Sequence, residues 1–481
     1  MKKILWSVLI LILVLCGVLF FNSFTSSSKQ IPTQGVQTDI SVIQDAEQRI
    51  AGAIQFQTVS YEDSAQANYE PFLKFHEYLK ESFPEIFSKL EVETVNQYSL
   101  LIHWKGVRAD LKPAILMAHM DVVPVLEDTK SLWTVEPFQG VIRDGYLWGR
   151  GAIDDKINLM SQLEAVEFLL KNNFKPQRDI YLSFGHDEEI GGKNGALRIA
   201  KLLHNRGVKA EFVLDEGGFV TNHMVPGVHQ PVALVGTSEK GFLDLELSLD
   251  IAGGHSSMPS KNNAIQVMSQ ALTDLGNQPF SLAISPSVKD FMAQIAPFST
   301  FVNKLALTNL WLFKPLVFKI YSSSAPGNAM IRTTMVPTII RGGEKSNVVP
   351  NIVTAVINYR LLPGTSIQDV IEHTQNAINN PLIKIRPLSQ QKEATGVSPI
   401  DNDAYRHISN AIHLNFGDST IVTPFLMIGG TDSRNFDLIT SNIYKFSPMI
   451  DPQGFHGVDE RLNLKDYSKA IAFYTDLIKS L

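Results

Sequence analysis

Apolar residues fall along this chain in three rhythms. From Ile4 to Phe21 they are nearly continuous, broken only by Ser7 and Gly17, and a run of that length approaches the roughly 20 residues that cross a bilayer as a helix. Beyond Ser41, short solid runs, "AILMAH" (114–119), "IYLSF" (180–184) and "EFVLDEGG" (211–218), alternate with helical spacing at 156–172 and 195–207. Strands alternating with helices predict a mostly parallel sheet. Near Thr237 the period becomes two: "GFLDLELSLDIA" (241–252) and "TAVINYRLL" (354–362) read as half-buried strands. With helices around 263–275 and 367–379 they predict an inserted α+β domain. From Thr395 the α/β pattern resumes and closes on the amphipathic "DYSKAIAFYTDLIKSL".

The expected organisation is a membrane anchor or signal peptide at 1–22, a linker at 23–40, an α/β catalytic domain in two parts (41–238 and 395–481), and between them an α+β lid or dimerisation domain (239–394). A chain of 481 residues is too long for one ordinary core. The linker is rich in Ser, Thr and Gln, the composition of a spacer holding a folded part off a membrane. Within the insert, 279–330 is less regular and carries "FSTFVNKLALTNLWLFKPLVFKIY". Two readings stand side by side: a second core helix pair of the insert, or an apolar surface for a partner, a membrane or a greasy substrate. No internal repeat is found.

Charge orients the first segment. Lys2 and Lys3 precede the apolar run, which places the N-terminus in the cytoplasm and the folded part outside. An uncleaved single-pass signal anchor is expected; cleavage, for which Ser26 to Ser28 offer small residues, would make the protein secreted. Cys16, in "VLCG", is the sole cysteine. It follows a leucine, which argues against a lipoprotein site, and it leaves no thiol nucleophile or disulfide for the folded part. The net charge of −6 and pI near 6.1, with no basic cluster interleaved with aromatics, argue against a nucleic-acid partner.

The acids and histidines gather at strand ends. "AILMAHMD" ends in His119 and Asp121, "GRGAIDDK" presents Asp154 and Asp155, "GHDEE" presents Glu188 and Glu189, and "FVLDEGG" presents Asp215 and Glu216. Ligands of open α/β sheets bind outside the carboxyl ends of the strands, so these groups converge. So many carboxylates in one cleft raise one another's pKa unless cations are present. One histidine among carboxylates suits ions of zinc type, and a carboxylate bridging two ions would complete a co-catalytic pair with a second histidine. His456, in the glycine-flanked "GFHGVDE", is the candidate. His255 in "GGHSSMP" also sits where glycines let the backbone turn and expose a ring. Other chemistries fail on spacing: "GTSEKG" has one residue too many for a G-x-S-x-G elbow, and no H-E-x-x-H helix occurs.

In order, "AHMDVVP", "GRGAIDDK", "GHDEEIGG", "VLDEGG", "EKGFLDLEL", "GGHSSMP", "SNVVPN", "NYRLLPG", "GGTDSR" and "FHGVDE" resemble the motifs of the di-zinc metallopeptidase family M20. The similarity runs over about residues 45–481 and is strongest to the carboxypeptidase S branch, which also holds an animal secreted enzyme that joins and splits fatty acids and amino acids. The resemblance implies two Zn2+ per chain, with Co2+ or Mn2+ as alternatives: His119 and Asp215 on one, Glu189 and His456 on the other, Asp154 as the bridge. It makes Glu188 the general base and Asp121 the carboxylate orienting His119, and it implies a cis peptide between Asp154 and Asp155. His255 and Asn347, from the lid and often from a partner subunit, would stabilise the oxyanion. Arg360 with Gly429, Gly430 and Thr431 would hold the substrate carboxylate.

The expected activity is therefore hydrolysis of an amide beside a free carboxylate, as a carboxypeptidase on small peptides. One alternative is an N-acyl-amino-acid hydrolase or synthase acting on fatty-acyl forms; another class altogether is a metal-dependent binding module without catalysis. Homodimerisation through the lid is common in the family.

Overall fold

The computed structural model describes residues 1–481, the side chains of residues 64, 389 and 390 excepted. A nine-stranded sheet runs, in spatial order, Glu91–Val95, Ser99–Trp104, Ile180–Gly185, Ala114–His119, Phe212–Asp215, Ile443–Lys445, Val232–Glu239 and Ile421–Met427, with Val220–Thr221 paired beside Val232–Glu239. The four strands from Ile180–Gly185 to Ile443–Lys445 are parallel, and antiparallel pairs flank them on both sides. Every residue of Ala114–His119 is buried, because helices cover both faces, as a parallel centre requires. Lys156–Lys171 and Leu464–Ser480 pack on one face, Ala196–Asn205 and the turn Asp432–Leu438 on the other. Parallel strands bring their carboxyl ends to one edge, which is how residues 119, 188 and 215, far apart in sequence, become neighbours.

The insert is a four-stranded antiparallel sheet in the order Thr334–Arg341, Ile352–Leu361, Gly241–Asp250, Ile383–Lys392. Leu243, Leu245, Leu247 and Leu249 face a core shared with the helices Ala264–Gly276 and Ile367–Ile378, as the period-two pattern dictates. Both helices start at capping boxes, Asn263 with Gln266 and Ser366 with Asp369.

Two segments depart from the sequence reading. The 279–330 stretch forms helices Pro286–Ile295, Phe301–Thr308, Leu310–Tyr321 and Ala325–Ile331. Their buried residues join Val232, Leu234, Ile421 and Leu426 of the large sheet, not the core of the insert. Nor is the polar segment after Thr25 a free spacer. Gln30 accepts from the Val422 N–H at 2.8 Å and donates to the Val422 carbonyl at 2.9 Å, so its amide closes backbone groups that edge strand Ile421–Met427 would leave open. Further on, Thr38 donates its N–H to Asp476.

Where the large sheet passes into the insert, Glu239 is fully buried and bonded to Arg434 at 2.6 Å, Lys445 at 3.3 Å and the Thr431 hydroxyl at 3.0 Å. Burial opposes its charge, but Lys445 and Arg434 outweigh it and hold the carboxyl below its usual range. Replacing one partner of a buried pair costs about 3–5 kcal/mol. Arg434→Met is expected to cost about 3 kcal/mol in urea unfolding, the low end because Lys445 remains. A depressed carboxyl pKa stabilises the fold above the unfolded value and is lost as pH falls through the folded one. Acidification below about pH 4.3, the ordinary glutamate value, should therefore narrow the gap between the variant and the parent chain.

Candidate metal centre

Each side chain at the sheet edge is held by a specific backbone feature. His119 ends its strand. Its Nδ1 lies 2.9 Å from the Asp121 carbonyl and 3.4 Å from the Asp121 carboxylate, so Nδ1–H donates and Nε2 is left as the free acceptor. That nitrogen lies 3.0 Å from Asp154 Oδ1 and 3.3 Å from Glu216 Oε1. The other Asp154 oxygen lies 2.9 Å from His456 Nε2, which is also 3.2 Å from Glu189 Oε2. One carboxylate thus spans two imidazoles, each joined by a second acid. The Asp154–Asp155 peptide is cis.

The donors divide into His119, Asp154, Glu216 and Asp154, Glu189, His456, the ligand atoms of each set within 4.8 Å of one another. Imidazole nitrogens and carboxylate oxygens in threes suit zinc-type ions with positions left for water or substrate. Glu189 Oε1 is buried with no hydrogen-bond partner among the described residues, a vacancy in bonding that a cation would fill. Electrostatics point the same way. Burial and Asp154 push the Glu216 carboxyl up to about 8. Hydrogen bonds donated by its ring to Asp154 and Glu189 push His456 up to about 10. Burial pushes Glu188 well above the carboxylate range, with Glu216, Asp432 and Glu189 adding to it against the His119 charge. The edge holds more negative charge than its own side chains neutralise.

Asp215, expected as a ligand, is not among these donors. It is the last residue of its strand in register with Lys445, and its carboxylate accepts the Ser433 N–H at 2.8 Å. The next residue, Glu216, lies beyond the ladder and reaches the cluster. After strand Ile180–Gly185, the acids of "GHDEE" leave the extended conformation: Glu188–Ile190 is a 3-10 turn. Asp187 accepts from Asn194 N and Gly195 N at 2.8 and 2.7 Å. It thereby ties the glycine loop to the helix that follows.

Asp121 does more than orient His119. Its two oxygens accept the N–H groups of Glu188 and Glu189 at 3.1 Å each, and one also accepts the Ser60 hydroxyl at 2.6 Å. Glu460, the last residue of "FHGVDE" and given no role by the sequence, pairs with Arg150 at 2.6 Å and accepts the N–H of Ile153 and of Asp154. Asp432 is buried with Oδ2 unpartnered among the described residues, and a side chain at Gly192, where φ is +66°, would run into it.

The expected substrate contacts lie mostly apart from this cluster. Arg360, on lid strand Ile352–Leu361, sets its guanidinium over Phe242 at 4.7 Å. Burial and nearby Arg434 lower its pKa against the pull of Asp244. Lys392 reaches toward the centre from the lid, where burial and Arg434 lower it while Asp432 and Glu188 pull the other way; nothing in the sequence marked it. Gly430 lies beside Arg434 and Glu239, Gly429 precedes it, and Thr431 is engaged with Glu239. His255 is exposed with its ring bonded to Ser257, and Asn347 is exposed beside it, its carbonyl accepting from Ser256 N.

Against known proteins, residues 115–480 match the model of peptidase family M20/M25/M40. The chain is 40% identical over 478 residues to probable carboxypeptidase S-like 2 of Dictyostelium discoideum, covering 96% of this chain and 91% of that protein. It is 36% identical over 462 residues to the N-fatty-acyl-amino acid synthase/hydrolase PM20D1 of Homo sapiens, covering 94% and 90%. In fold it is similar to the M20 family metallo-carboxypeptidase Sso-CP2 from Sulfolobus solfataricus, with TM-score 0.65 at 20% identity over 91% of this chain and 99% of that one. Human carnosine dipeptidase 1 gives 0.62 at 13% identity over 90% and 96%.

Removing Asp121 frees both the ring and the acidic turn. Asp121→Ala is expected to weaken cation affinity about 10- to 100-fold, read by competition with a chromophoric chelator. Ser60→Ala, which leaves Asp121 its backbone donors, should have a smaller effect.

Proposed function

The chain belongs to peptidase family M20/M25/M40, and from that premise we propose that it is a two-cation hydrolase of amides flanked by a free carboxylate. The observation that carries this is Asp154, whose oxygens lie 3.0 and 2.9 Å from two imidazole nitrogens. His119, Asp154 and Glu216 would hold one Zn2+, and Asp154, Glu189 and His456 the other. The ions would supply Lewis-acid polarisation of the amide carbonyl and a lowered pKa for water.

The residues of the chain do the rest. Glu188, on the turn fixed by Asp121, takes a proton from water and returns it to the leaving amine nitrogen. Arg360, with Gly429, Gly430 and Thr431 opposite, holds the substrate carboxylate; the grouping of Arg360, Arg434 and Lys240 at the lid base supports this. His255 and Asn347, exposed and with no side-chain bond among the described residues beyond that of the His255 ring to Ser257, act on the site of a second copy. Exposed Val336, Ile339 and Ile340 on edge strand Thr334–Arg341 support such a lid-to-lid dimer.

Small peptides and N-acyl amino acids share the required amide and carboxylate. The similarity to PM20D1 supports fatty-acyl amino acids as a second substrate class, and the similarity to carboxypeptidase S-like 2 supports peptides. The helix Lys2–Thr25, apolar from Ile4 to Phe21 apart from Ser7 and Gly17 and with Lys2 and Lys3 at its start, anchors the enzyme with its folded part outside the cytoplasm.

Glu188→Gln should lower turnover of a panel of blocked dipeptides and N-acyl amino acids by about 10²- to 10⁴-fold with bound zinc unchanged. Zinc-loaded, folded parent protein that leaves the whole panel intact would refute the reading. Glu216→Gln should reduce bound zinc in elemental analysis, whereas Asp215→Asn should keep it; the reverse result would return the ligand role to Asp215.

A further inference from the structure

The helical hairpin Phe301–Tyr321 carries more apolar surface than its own packing uses. Ala306 and Val317 are buried against the large sheet. Val302, Trp311, Leu312, Leu316 and Ile320 stay exposed, Val302 at 69% and Trp311 at 62%. Leu312, Leu316 and Ile320 recur every fourth residue and so form one stripe along the helix. The charge is equally one-sided. From Phe291 to Gly343 there is no Asp or Glu, while Lys304, Lys314, Lys319, Arg332 and Arg341 all fall there, in a chain of net charge −6.

The helix Lys2–Thr25 indicates what covers this face, because its last turns dock on the same hairpin. Asn22 donates to Asn309 Oδ1 at 2.8 Å, Asn309 donates to the Leu19 carbonyl at 3.2 Å, and the Ser23 and Thr308 hydroxyls lie 3.0 Å apart. The Phe20 ring stacks on Phe301 with centroids 6.1 Å apart. Twenty-four helical residues extend about 36 Å, against a hydrocarbon core of about 30 Å. With Lys2 and Lys3 at the cytoplasmic surface, Leu19 to Thr25 emerge at the opposite interface, and the hairpin bonded to them sits at that depth. Aromatic rings and lysines beside aliphatic side chains are the composition of segments that lie in the headgroup region.

We propose that the Phe301–Tyr321 hairpin is a second membrane contact. It lies in the outer headgroup region with Trp311, Leu312, Leu316 and Ile320 in the acyl boundary and Lys304, Lys314 and Lys319 toward anionic headgroups. The contact rests on the anchor reading above. It would hold the large sheet near the bilayer through helix Pro286–Ile295, which packs on strand Ile421–Met427 and shares an apolar core with the hairpin.

The test uses the full chain with Cys16→Ser, one new cysteine carrying an environment-sensitive fluorophore, and vesicles of phosphatidylcholine with or without phosphatidylglycerol. A label at Leu316→Cys should shift to the blue and lose most of its emission to a nitroxide carried on the lipid. A label at Thr94→Cys, on the opposite edge strand Glu91–Val95, should do neither. The Leu316 response should strengthen with phosphatidylglycerol and weaken when Lys304, Lys314 and Lys319 are changed to Glu, with hydrolysis of a short-chain soluble substrate reporting that each variant is folded. Protein that floats with vesicles while the Leu316 label keeps its aqueous emission overturns this inference and leaves the anchor standing. A blue shift that the lipid nitroxide does not quench overturns it in favour of a second copy on this face. Failure to float at all removes the anchor reading and this inference together.

Discussion

The sheet edge gathers more buried acid than its own cations neutralise, and the structure around it answers that constraint in two ways. Some acids are satisfied by peptide N–H groups: Asp121 by Glu188 and Glu189, Asp187 by Asn194 and Gly195, Asp215 by Ser433, Glu460 by Ile153 and Asp154. The others, Asp154, Glu189 and Glu216, turn their oxygens toward two imidazoles. Charge-assisted bonds to backbone donors favour ionisation without any added ion. Burial still pushes Asp187, Asp215 and Glu460 up against those bonds, but the bonds fix the first group in place as framework. In the second, the two imidazoles hold Asp154 down while Glu189 and Glu216 stay raised and short of positive charge. Burying an unpaired carboxylate is costly enough that it protonates or finds a cation, and the three-donor grouping favours the cation.

The framework acids also explain how a sheet and its loops keep their positions to within hydrogen-bond tolerance. Asp121 joins the end of one strand to the turn after its neighbour, so His119 and Glu188 cannot shift independently. Glu460 does the same from the far end of the chain, clamping the backbone of the bridging Asp154 while Arg150 balances its charge. At the lid junction, Glu239 binds Arg434 and Lys445, tying the loop that carries Gly430 and Thr431 to the strand that leads into the insert. The insert is thus tied to the same sheet edge at which the acids and histidines gather.

Much of this was legible in the residues. The alternation of Leu243 to Leu249, the solid run 114–119 and the capping pairs at 263 and 366 each encode their local structure. His119, Asp154 and Glu189 meet at the strand ends and following turns where they were read, and His456 joins them from its glycine-flanked loop. Asp215 and Glu216 mark where that legibility stops. Two acids in succession at a strand end carry no periodicity to choose between them. Only the ladder, in which Asp215 still pairs with Lys445, puts Glu216 past the edge. Asp187, read as a support for its two neighbours, bonds Asn194 and Gly195, and it is the turn Glu188–Ile190 rather than strand alternation that points its side chain back to the loop. Glu460 and Lys392 were invisible because their roles come from tertiary neighbours more than 150 residues away.

The 279–330 stretch failed to resolve for a different reason. Helices with this much apolar surface beyond one narrow stripe fit a buried core and a lipid surface equally well. The two sequence readings are not exclusive in the fold. Ala306 and Val317 belong to a core with Val232 and Leu426, while Trp311 and Ile320 on the same helices face outward. What separates the faces is the sheet edge: Ile421–Met427 needs cover on the side where no further strand pairs, and the helices that provide it must leave their other side to whatever lies beyond. Gln30 bonds that edge directly, while the end of the N-terminal helix docks on the hairpin beyond it. The first 30 residues thus follow the same side of the large sheet as the apolar helices that cover it.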